Sequence, residues 1–315
     1  MACSGEIVSV IIPALNERDR IGDLILSIYG QDYRPIELAL VDGGSTDGTV
    51  DTMNELRDRL NSGSFRFQVL HERDFGPLRS PANARNIGIK NSKGKYIAFF
   101  DADFVLTDRG LLSKVVEALK EHQSVGVRVK PFEDSWLEYH ASVDDVRPDL
   151  CSNVHTFCGY RREVFGKVLF DSTLGFYEDN DLNIRAGIRP VFIDAYCRRH
   201  FPHDLREWRK QYLWYGKTFR RYCAKYGLNP WLSARWLLGE LVLLAMSALA
   251  APFNVGISFI LIGLFGWRMV VQYARSPIRR RWRALYILLR QTYAAFWFGL
   301  GLLLSYIPHR GASRY

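Results

Sequence analysis

The sequence contains only five cysteines, and their number and spacing argue against two kinds of protein. Cys3, Cys151, Cys158, Cys197 and Cys223 are odd in number, and no two of them form a C-x-x-C pair. Neither a disulfide framework nor a zinc site of the usual spacing is expected from such a set. We therefore predict that the cysteines are reduced, as in the cytosol.

Acidic residues are nearly absent from the C-terminal third of the chain. Residues 1–207 contain 26 Lys and Arg and 32 Asp and Glu, whereas residues 208–315 contain 16 basic residues and one acid, Glu240. A basic segment of this kind indicates an anionic partner, either nucleic acid or a membrane surface. Because residues 241–267 and 291–308 carry no charge at all, we expect a lipid bilayer as the partner and no nucleic acid.

The uncharged runs predict three transmembrane helices, at Trp236–Ala251, Val255–Ala274 and Ala284–Ile307, with two spans and an interfacial helix as the alternative. The arginine-rich loop between the last two runs indicates a cytoplasmic loop, and the N-terminal domain would then lie on the same side. The chain does not start with a charged segment followed by a long apolar core, so no signal peptide is expected. The predicted location is the cell membrane, as a multi-pass protein with its N-terminal domain in the cytoplasm.

In the N-terminal part, apolar runs typical of strands alternate with segments of helical periodicity. This alternation predicts an α/β fold with a mainly parallel, Rossmann-like, doubly wound sheet. Strands are predicted at Ile7–Ile12, Ile36–Val41 and Tyr96–Phe100, and a last short one at Val191–Asp194. This domain is predicted to cover residues 1–204. Amphipathic helices for the membrane interface follow over 205–235, and the transmembrane domain covers 236–315.

Two groups of carboxylates carry the predicted chemistry. Asp101 and Asp103 directly follow a buried strand, where open α/β sheets bind ligands. Such a pair suits Mn²⁺ or Mg²⁺, which one or two carboxylates hold together with phosphate oxygens. Asp179 is well placed downstream to act as a general base, and its neighbours Glu178 and Asp181 are rival candidates.

Five motifs occur in the order typical of one enzyme family. They are Pro13-Ala14-Leu15-Asn16-Glu17, Asp42-Gly43-Gly44-Ser45-Thr46-Asp47-Gly48-Thr49, Ala84-Arg85-Asn86-Ile87-Gly88, Asp101-Ala102-Asp103 and Glu178-Asp179. On these motifs the chain resembles family 2 glycosyltransferases. The resemblance implies a GT-A fold, a nucleotide-diphosphate sugar as donor, a divalent metal ion and inversion at the anomeric carbon.

The resemblance also implies roles for individual residues. Pro13, Asn16, Glu17 and Asp42 would contact the base and ribose of the donor, and Arg85 would contact the nucleotide or diphosphate. Asp101, Ala102 and Asp103 would hold the donor through the metal ion. In some members, such as galactofuranosyltransferases, a third metal ligand is a histidine at about the position of His203, with His200 as the competing candidate here.

A basic and aromatic segment follows these motifs, and its Arg206 and Arg209 are candidates to bind the phosphate of an acceptor. A compact catalytic domain with a short membrane anchor resembles polyprenyl-phosphate and dolichyl-phosphate mannose synthases and minimal cellulose-synthase-like enzymes. The predicted function is therefore hexose transfer, from GDP-mannose first and UDP-glucose second, to a polyprenyl phosphate or another lipid-linked acceptor for glycan synthesis. Extension of a lipid-linked oligosaccharide or polysaccharide, nucleotidyl transfer and a non-catalytic membrane scaffold are the alternatives.

Overall fold

The computed structural model describes residues 5–131, 158–200, 204–275 and 281–307. They form two compact units, and the chain passes from the first to the second after residue 201. The predicted domain boundaries after residues 204 and 235 remain predictions. The first unit is an α/β sheet structure, and the second is helical.

The first unit contains eight described strands and five α-helices. The strands are β1 (Val8–Ala14), β2 (Ile36–Asp42), β3 (Phe65–His71), β4 (Tyr96–Phe99), β5 (Phe104–Val105), β6 (Ser124–Pro131), β7 (Cys158–Arg161) and β8 (Val191–Arg199). The helices are α1 (Arg18–Tyr29), α2 (Thr49–Leu60), α3 (Pro81–Lys90), α4 (Leu111–Glu121) and α5 (Glu178–Ala186).

The described strands form one sheet in the order β3-β2-β1-β4-β7-β6-β8-β5. Parallel pairs join β1 to β2 and β4, β2 to β3, and β6 to β8. Strand β7 is antiparallel to β4 and β6, and β5 is antiparallel to β8. The α/β prediction is confirmed. Four of the seven described pairings are parallel, but the sheet is mixed, because β5 and β7 run antiparallel to their neighbours. The apolar pattern of a short strand does not encode its direction, which tertiary pairing decides.

Strand β1 is central and is covered on both faces. Val8, Val10 and Ile12 belong to one hydrophobic cluster, together with the buried face of α1, whereas Ile11 belongs to a second cluster on the α3 side. Burial on both faces explains why this strand is apolar without alternation. The register pairs Ala14 with Asp42 at the strand ends. The carboxyl ends of β1 and β2 therefore lie at one edge of the sheet.

The second unit contains the helices α6 (Leu205–Lys225), α7 (Pro230–Ser233), α8 (Arg235–Ala250), α9 (Val255–Arg275) and α10 (Arg281–Leu304). A turn at residues 251–254 joins α8 to α9, as the sequence predicts. Over the part of the chain that the structure describes, no helix has both the length and the apolarity needed to cross a bilayer. The predicted domain of three transmembrane spans is therefore not supported.

Helices α6 and α10 approach each other most closely at two glycines. A Cβ atom on Gly216 would overlap the main-chain carbonyl oxygen of Phe298, and one on Gly301 would overlap that of Leu213. The backbones therefore pack directly on one another, as small residues allow at helix crossings. Next to this crossing, the rings of Phe219 and Phe298 lie 5.5 Å apart.

We predict that Gly216→Ala and Gly301→Ala each destabilise the second unit. The added methyl group must push the two helices apart, and overpacking of this kind costs about 1–3 kcal/mol. Urea unfolding of the purified protein, followed by tryptophan fluorescence, measures the loss. The control is Gly263→Ala in α9, where a Cβ meets no atom within 4 Å and helix propensity improves by up to about 1 kcal/mol. Wild-type stability of Gly216→Ala would show that the helices do not cross here.

Candidate active site

Two loops that follow β1 and β2 are joined by hydrogen bonds. Asn16 adopts a left-handed conformation with φ of 57°, and its Oδ1 accepts the N–H of Thr46 at 2.9 Å. The main-chain N–H of Asn16 donates to Oγ of Ser45 at 2.9 Å, and that of Glu17 donates to Oγ1 of Thr49 at 2.8 Å. Asn16, which the sequence predicts to bind the sugar donor, thus links the two loops. Its contact with a nucleotide remains a prediction.

Asp42 ends β2 and shapes the turn that follows. Its Oδ1 accepts the N–H of Ser45 at 2.9 Å, and its Oδ2 accepts that of Gly44 at 3.0 Å. Gly44 has a φ of +102°, which favours glycine at this position. Burial would raise the pKa of Asp42, but the hydrogen bonds, including one with His71, hold it below its usual value. Asp42 therefore stays ionised at the sheet edge, opposite Ala14 at the end of β1, and Pro13 lies one residue earlier, opposite Val41.

Arg85 on α3 connects two acids that are far apart in sequence. Its Nη2 lies 2.7 Å from Oδ1 of Asp101, and its Nη1 lies 2.6 Å from Oε1 of Glu178. Burial would lower the pKa of Arg85, but the two carboxylates raise it above its usual value. The guanidinium also lies 5.7 Å from the ring centroid of Phe170. Arg85 is thus held inside the site and fully charged.

Asp103 is paired with a second arginine. Nε of Arg199, the last residue of β8, lies 2.9 Å from Oδ2 of Asp103. Burial raises the pKa of Asp103, and the nearby Asp101 raises it further, whereas Arg199 lowers it. Ala102, between the two aspartates, packs into the hydrophobic core, which leaves only its main chain for a ligand.

The structure separates the three candidates for the general base at the start of α5. Asp181 is fully buried and pairs with Arg185, and Glu178 is paired with Arg85. Asp179 accepts a hydrogen bond from the N–H of Asn180 at 2.7 Å. Burial raises its pKa to about 6, opposed by this hydrogen bond and by Arg85. Its environment is that of a carboxylate able to gain and lose a proton near neutral pH.

Glu17 extends the acid cluster to the end of β1. Burial, together with the charges of Asp103 and Asp101, raises its pKa to about 7 against the lowering effect of Arg20. Burial likewise raises the pKa of Glu178 to about 7, against the lowering effect of Arg85. The cluster therefore binds protons near neutral pH, and a cation would take their place.

The predicted metal ligands fit a cation only in part. No group of three or more metal-binding side chains occurs among the residues described, and His203 lies outside them. Asp101 and Asp103 alone suit a hard cation that takes its other ligands from phosphate and water. One atom supports this fit: within the described chain, Oδ1 of Asp103 is buried and has no hydrogen-bond partner. His200, the competing candidate, donates its main-chain N–H to the carbonyl oxygen of Asp103 at 2.8 Å.

Two charged residues of this region were missed at the sequence level. Arg199 was missed because the last strand was predicted to end at Asp194, whereas β8 continues to Arg199. Glu72 follows β3 and is 1% exposed. Its Oε1 accepts from the side chain of Asn83 at 2.8 Å. The rule that identified acids after the other strands would have found Glu72.

The two arginines predicted to bind acceptor phosphate lie on α6 in the second unit. Arg206 and Arg209 are both exposed. The guanidinium of Arg209 lies 5.4 Å from the ring centroid of Trp297, a cation–π distance. Their role remains a prediction.

Comparison with known proteins identifies relatives of the first unit. Residues 9–169 match the sequence model of the family described as Glycosyl transferase family 2. An uncharacterized glycosyltransferase of Haemophilus influenzae is 35% identical over 104 residues, 33% of this chain and 39% of that protein. The UDP-Glc:alpha-D-GlcNAc-diphosphoundecaprenol beta-1,3-glucosyltransferase WfaP of Escherichia coli is 36% identical over 98 residues, 31% of this chain and 36% of that protein. The matches thus span roughly a third of the length of these relatives.

One solved structure shares the fold over most of the chain. The mannosyltransferase PcManGT from Pyrobaculum calidifontis, in complex with GDP-Man and Mn²⁺, matches with a TM-score of 0.66 and 18% identity. The match covers 95% of this chain and 86% of that one. At this identity the likeness concerns the fold alone, and it supports an α/β, GT-A-like mixed sheet.

We predict that Glu17→Gln gains stability relative to the wild type as the pH rises. The native state binds a proton on Glu17 up to about pH 7, but the unfolded chain releases it near its ordinary pKa of 4.5. Native Glu17 therefore loses stability between these pH values, whereas glutamine does not. In EDTA, the difference in free energy of unfolding should grow by about 2 kcal/mol from pH 4.5 to 7.5.

The control for this measurement is Asp19→Asn, which removes an exposed acid from the first turn of α1, two residues after Glu17, and should preserve the pH profile of the wild type. Denaturant unfolding at each pH gives the free energies. Parallel profiles of Glu17→Gln and the wild type would show that Glu17 does not hold its proton in the native state.

Proposed function

Because this chain belongs to glycosyl transferase family 2, we propose that it transfers a hexose from a nucleotide-diphosphate sugar to a lipid-linked acceptor with inversion. The observation that carries the proposal is the acid cluster beside the ends of β1 and β4. There Asp101 and Asp103 lie within electrostatic range of Glu17, and Asp101 also lies within electrostatic range of Asp179. Inverting transfer needs acids in two roles. One group of acids holds the cation at the departing diphosphate, and another acid acts as the base at the acceptor.

The donor would bind at the carboxyl edge of the sheet. Asn16 and Asp42 hold the two loops that would receive the base and ribose. Asp101 and Asp103 would hold Mn²⁺ or Mg²⁺, which supplies Lewis-acid stabilisation of the departing diphosphate when bound. Arg85, already charged and buried beside Asp101, would add positive charge where the diphosphate leaves.

Asp179 would remove the proton from an acceptor hydroxyl. Its rivals are paired with arginines, and its raised pKa of about 6 suits a base that works near neutral pH. A polyprenyl phosphate is already ionised and needs no such base. The geometry of Asp179 therefore favours a sugar hydroxyl on a lipid-linked glycan, which is also the acceptor class in the name of the Escherichia coli relative. Polyprenyl phosphate is the second candidate acceptor.

The identity of the transferred sugar is a separate proposal from the family. GDP-mannose is our first candidate donor and UDP-glucose the second. The name of the Escherichia coli relative supports UDP-glucose. Transfer of a nucleotidyl group would release inorganic diphosphate in place of GDP or UDP, so the products separate this alternative.

We also propose that the second unit binds the cytoplasmic face of a lipid bilayer through the α8–α9 hairpin. Phe253 at the turn is 90% exposed, and the exposed apolar side chains continue along both helices, including Leu249, Phe259, Ile260 and Trp267. A large exposed apolar surface of this kind marks an interaction site. The buried polar groups on this hairpin, Ser247 and Ser258, satisfy each other by hydrogen bonds.

Positive charge supports lipid as the partner. The second unit carries exposed arginines on α6, Arg206 and Arg209 among them, and anionic headgroups attract such groups at about 1 kcal/mol each. A helical unit that carries both exposed apolar side chains and exposed arginines suits an interfacial location. A lipid-linked acceptor would be met at the same bilayer.

We predict that Asp179→Asn lowers turnover about 10²-fold or more when the acceptor is a sugar hydroxyl. Donor binding should be nearly unchanged, because asparagine has the same shape and the donor does not need the base. Release of GDP or UDP measures turnover, and thermal shift with GDP-mannose, UDP-glucose and Mn²⁺ measures donor binding. The matched control is Asp171→Asn, an acid of the same unit whose Oδ1 accepts hydrogen bonds from Thr173.

The acceptor decides between the outcomes. Loss of turnover with a diphosphate-linked GlcNAc acceptor, but not with polyprenyl phosphate, would support the assignment of Asp179 as base. Normal turnover with every acceptor would contradict it. No release of GDP or UDP from either sugar, with both acceptors and Mn²⁺ present, would contradict the proposed transfer itself.

We predict that Phe253→Asp together with Phe259→Asp reduces membrane binding at least 10-fold, because burial of each phenyl group contributes about 1.5–3 kcal/mol. Flotation with vesicles of neutral and 30% anionic phospholipid, after removal of detergent, measures the bound fraction. Phe75→Asp, a change of an exposed apolar side chain in the first unit, is the control. Unchanged flotation of the double variant, or association only between copies of the protein, would exclude the hairpin as the lipid contact.

A further inference from the structure

The two carboxylate oxygens of Asp103 have different surroundings. Oδ2 accepts a hydrogen bond from Nε of Arg199 at 2.9 Å. Oδ1 is buried and, among the residues described, has no hydrogen-bond partner. A buried oxygen without a partner costs free energy unless a ligand uses it. The side chain as a whole is only 15% exposed, so bulk water does not explain the difference.

Three contacts hold Arg199 and the end of β8 in place. Strand β8 pairs with β5, and the register places Arg199 opposite Phe104. The guanidinium lies 5.4 Å from the ring centroid of Phe104. The next residue, His200, donates its main-chain N–H to the carbonyl oxygen of Asp103 at 2.8 Å. Both the backbone and the side chain of Asp103 are therefore tied to the end of β8.

We propose that Arg199 is a positioning residue for the metal ion: by binding Oδ2 of Asp103 it fixes the carboxylate and reserves Oδ1 for a divalent cation. The inference rests on the proposed metal-dependent function and assigns one oxygen and one orienting residue within it. A metal ligand usually needs an outer group to fix its orientation, and removal of such a group weakens metal binding 10–100-fold. Arg199 makes this contact through its Nε, so one oxygen of the carboxylate stays available.

Arg85 does not have the same role at Asp101. Its guanidinium is shared between Asp101 and Glu178, and Asp101 is more exposed than Asp103, at 32%. Arg85 therefore connects elements of the fold and leaves the orientation of Asp103 to the Nε of Arg199. The proposal concerns Arg199 alone.

Two variants test the proposal because they place different atoms where the arginine side chain has its Nε. In Arg199→Gln an amide nitrogen takes this position, and in Arg199→Met a methyl group takes it; both variants lack the charge. We expect Arg199→Gln to bind Mn²⁺ at least as tightly as the wild type, because the donor to Oδ2 remains and a repelling charge is lost. Arg199→Met should bind about 10-fold or more weakly than Arg199→Gln.

The measurement is the EPR signal of free Mn²⁺ during titration of the full chain, with GDP or UDP as the nucleotide probe. Arg66→Met, which replaces an exposed arginine of β3, is the control and should match the wild type. Melting in EDTA shows that each variant folds. Should Arg199→Met not fold, Arg199→Lys replaces it: this variant keeps the charge, has a carbon at the Nε position and should also bind Mn²⁺ more weakly than Arg199→Gln.

Equal Mn²⁺ affinity of Arg199→Gln and the variant without a donor at the Nε position would overturn the inference. Asp103→Asn separates this failure from failure of the proposed function. If Asp103→Asn loses Mn²⁺ while substitution of Arg199 has no effect, only the role of Arg199 is wrong. If Asp103→Asn binds Mn²⁺ like the wild type, the metal site itself is wrong.

Discussion

Burial of the Arg85 guanidinium between Asp101 and Glu178 is the interaction on which the site depends. The three side chains come from α3, the end of β4 and the start of α5, and they are between 11% and 32% exposed. Removal of one member of a buried ion pair leaves an uncompensated charge and typically costs about 3–5 kcal/mol. The triad thus holds three elements of the first unit in one arrangement. Asp179 follows Glu178 directly, so the same contact places the candidate base.

Arg20, Arg85 and Arg199 do not fully offset the cost of burying the acids that they face. Glu17, Glu178 and Asp179 all have raised pKa values, with burial as the largest cause. Folding has therefore produced a site that takes up protons, or a cation, near neutral pH. Perturbation of this kind is common at functional sites. It is consistent with membership of glycosyl transferase family 2 and with the metal-dependent transfer that we propose.

The second unit is organised by different forces. Its internal packing depends on the direct contact of α6 and α10 at Gly216 and Gly301, while the α8–α9 hairpin presents apolar side chains outward. The glycines allow the close backbone packing. The many apolar residues and the near absence of acids produce the apolar surface. The uncharged runs suggested spans, but no described helix meets the requirements of one. Lipid binding by the hairpin therefore stands as a proposal.

The sequence alone located the ends of β2 and β4 to within one residue, together with the acids there, because a buried strand is mainly apolar and polar residues follow where it ends. Asp101 and Asp103 were found in this way, whereas Asp42 was identified through the resemblance to family 2 glycosyltransferases. Only the tertiary structure decided the direction of β5 and β7, the pairing of Arg85 with Asp101 and Glu178, and the contact of Arg199 with Asp103. These depend on residues up to 96 positions apart, and a local pattern carries no information about which distant charge will lie beside it.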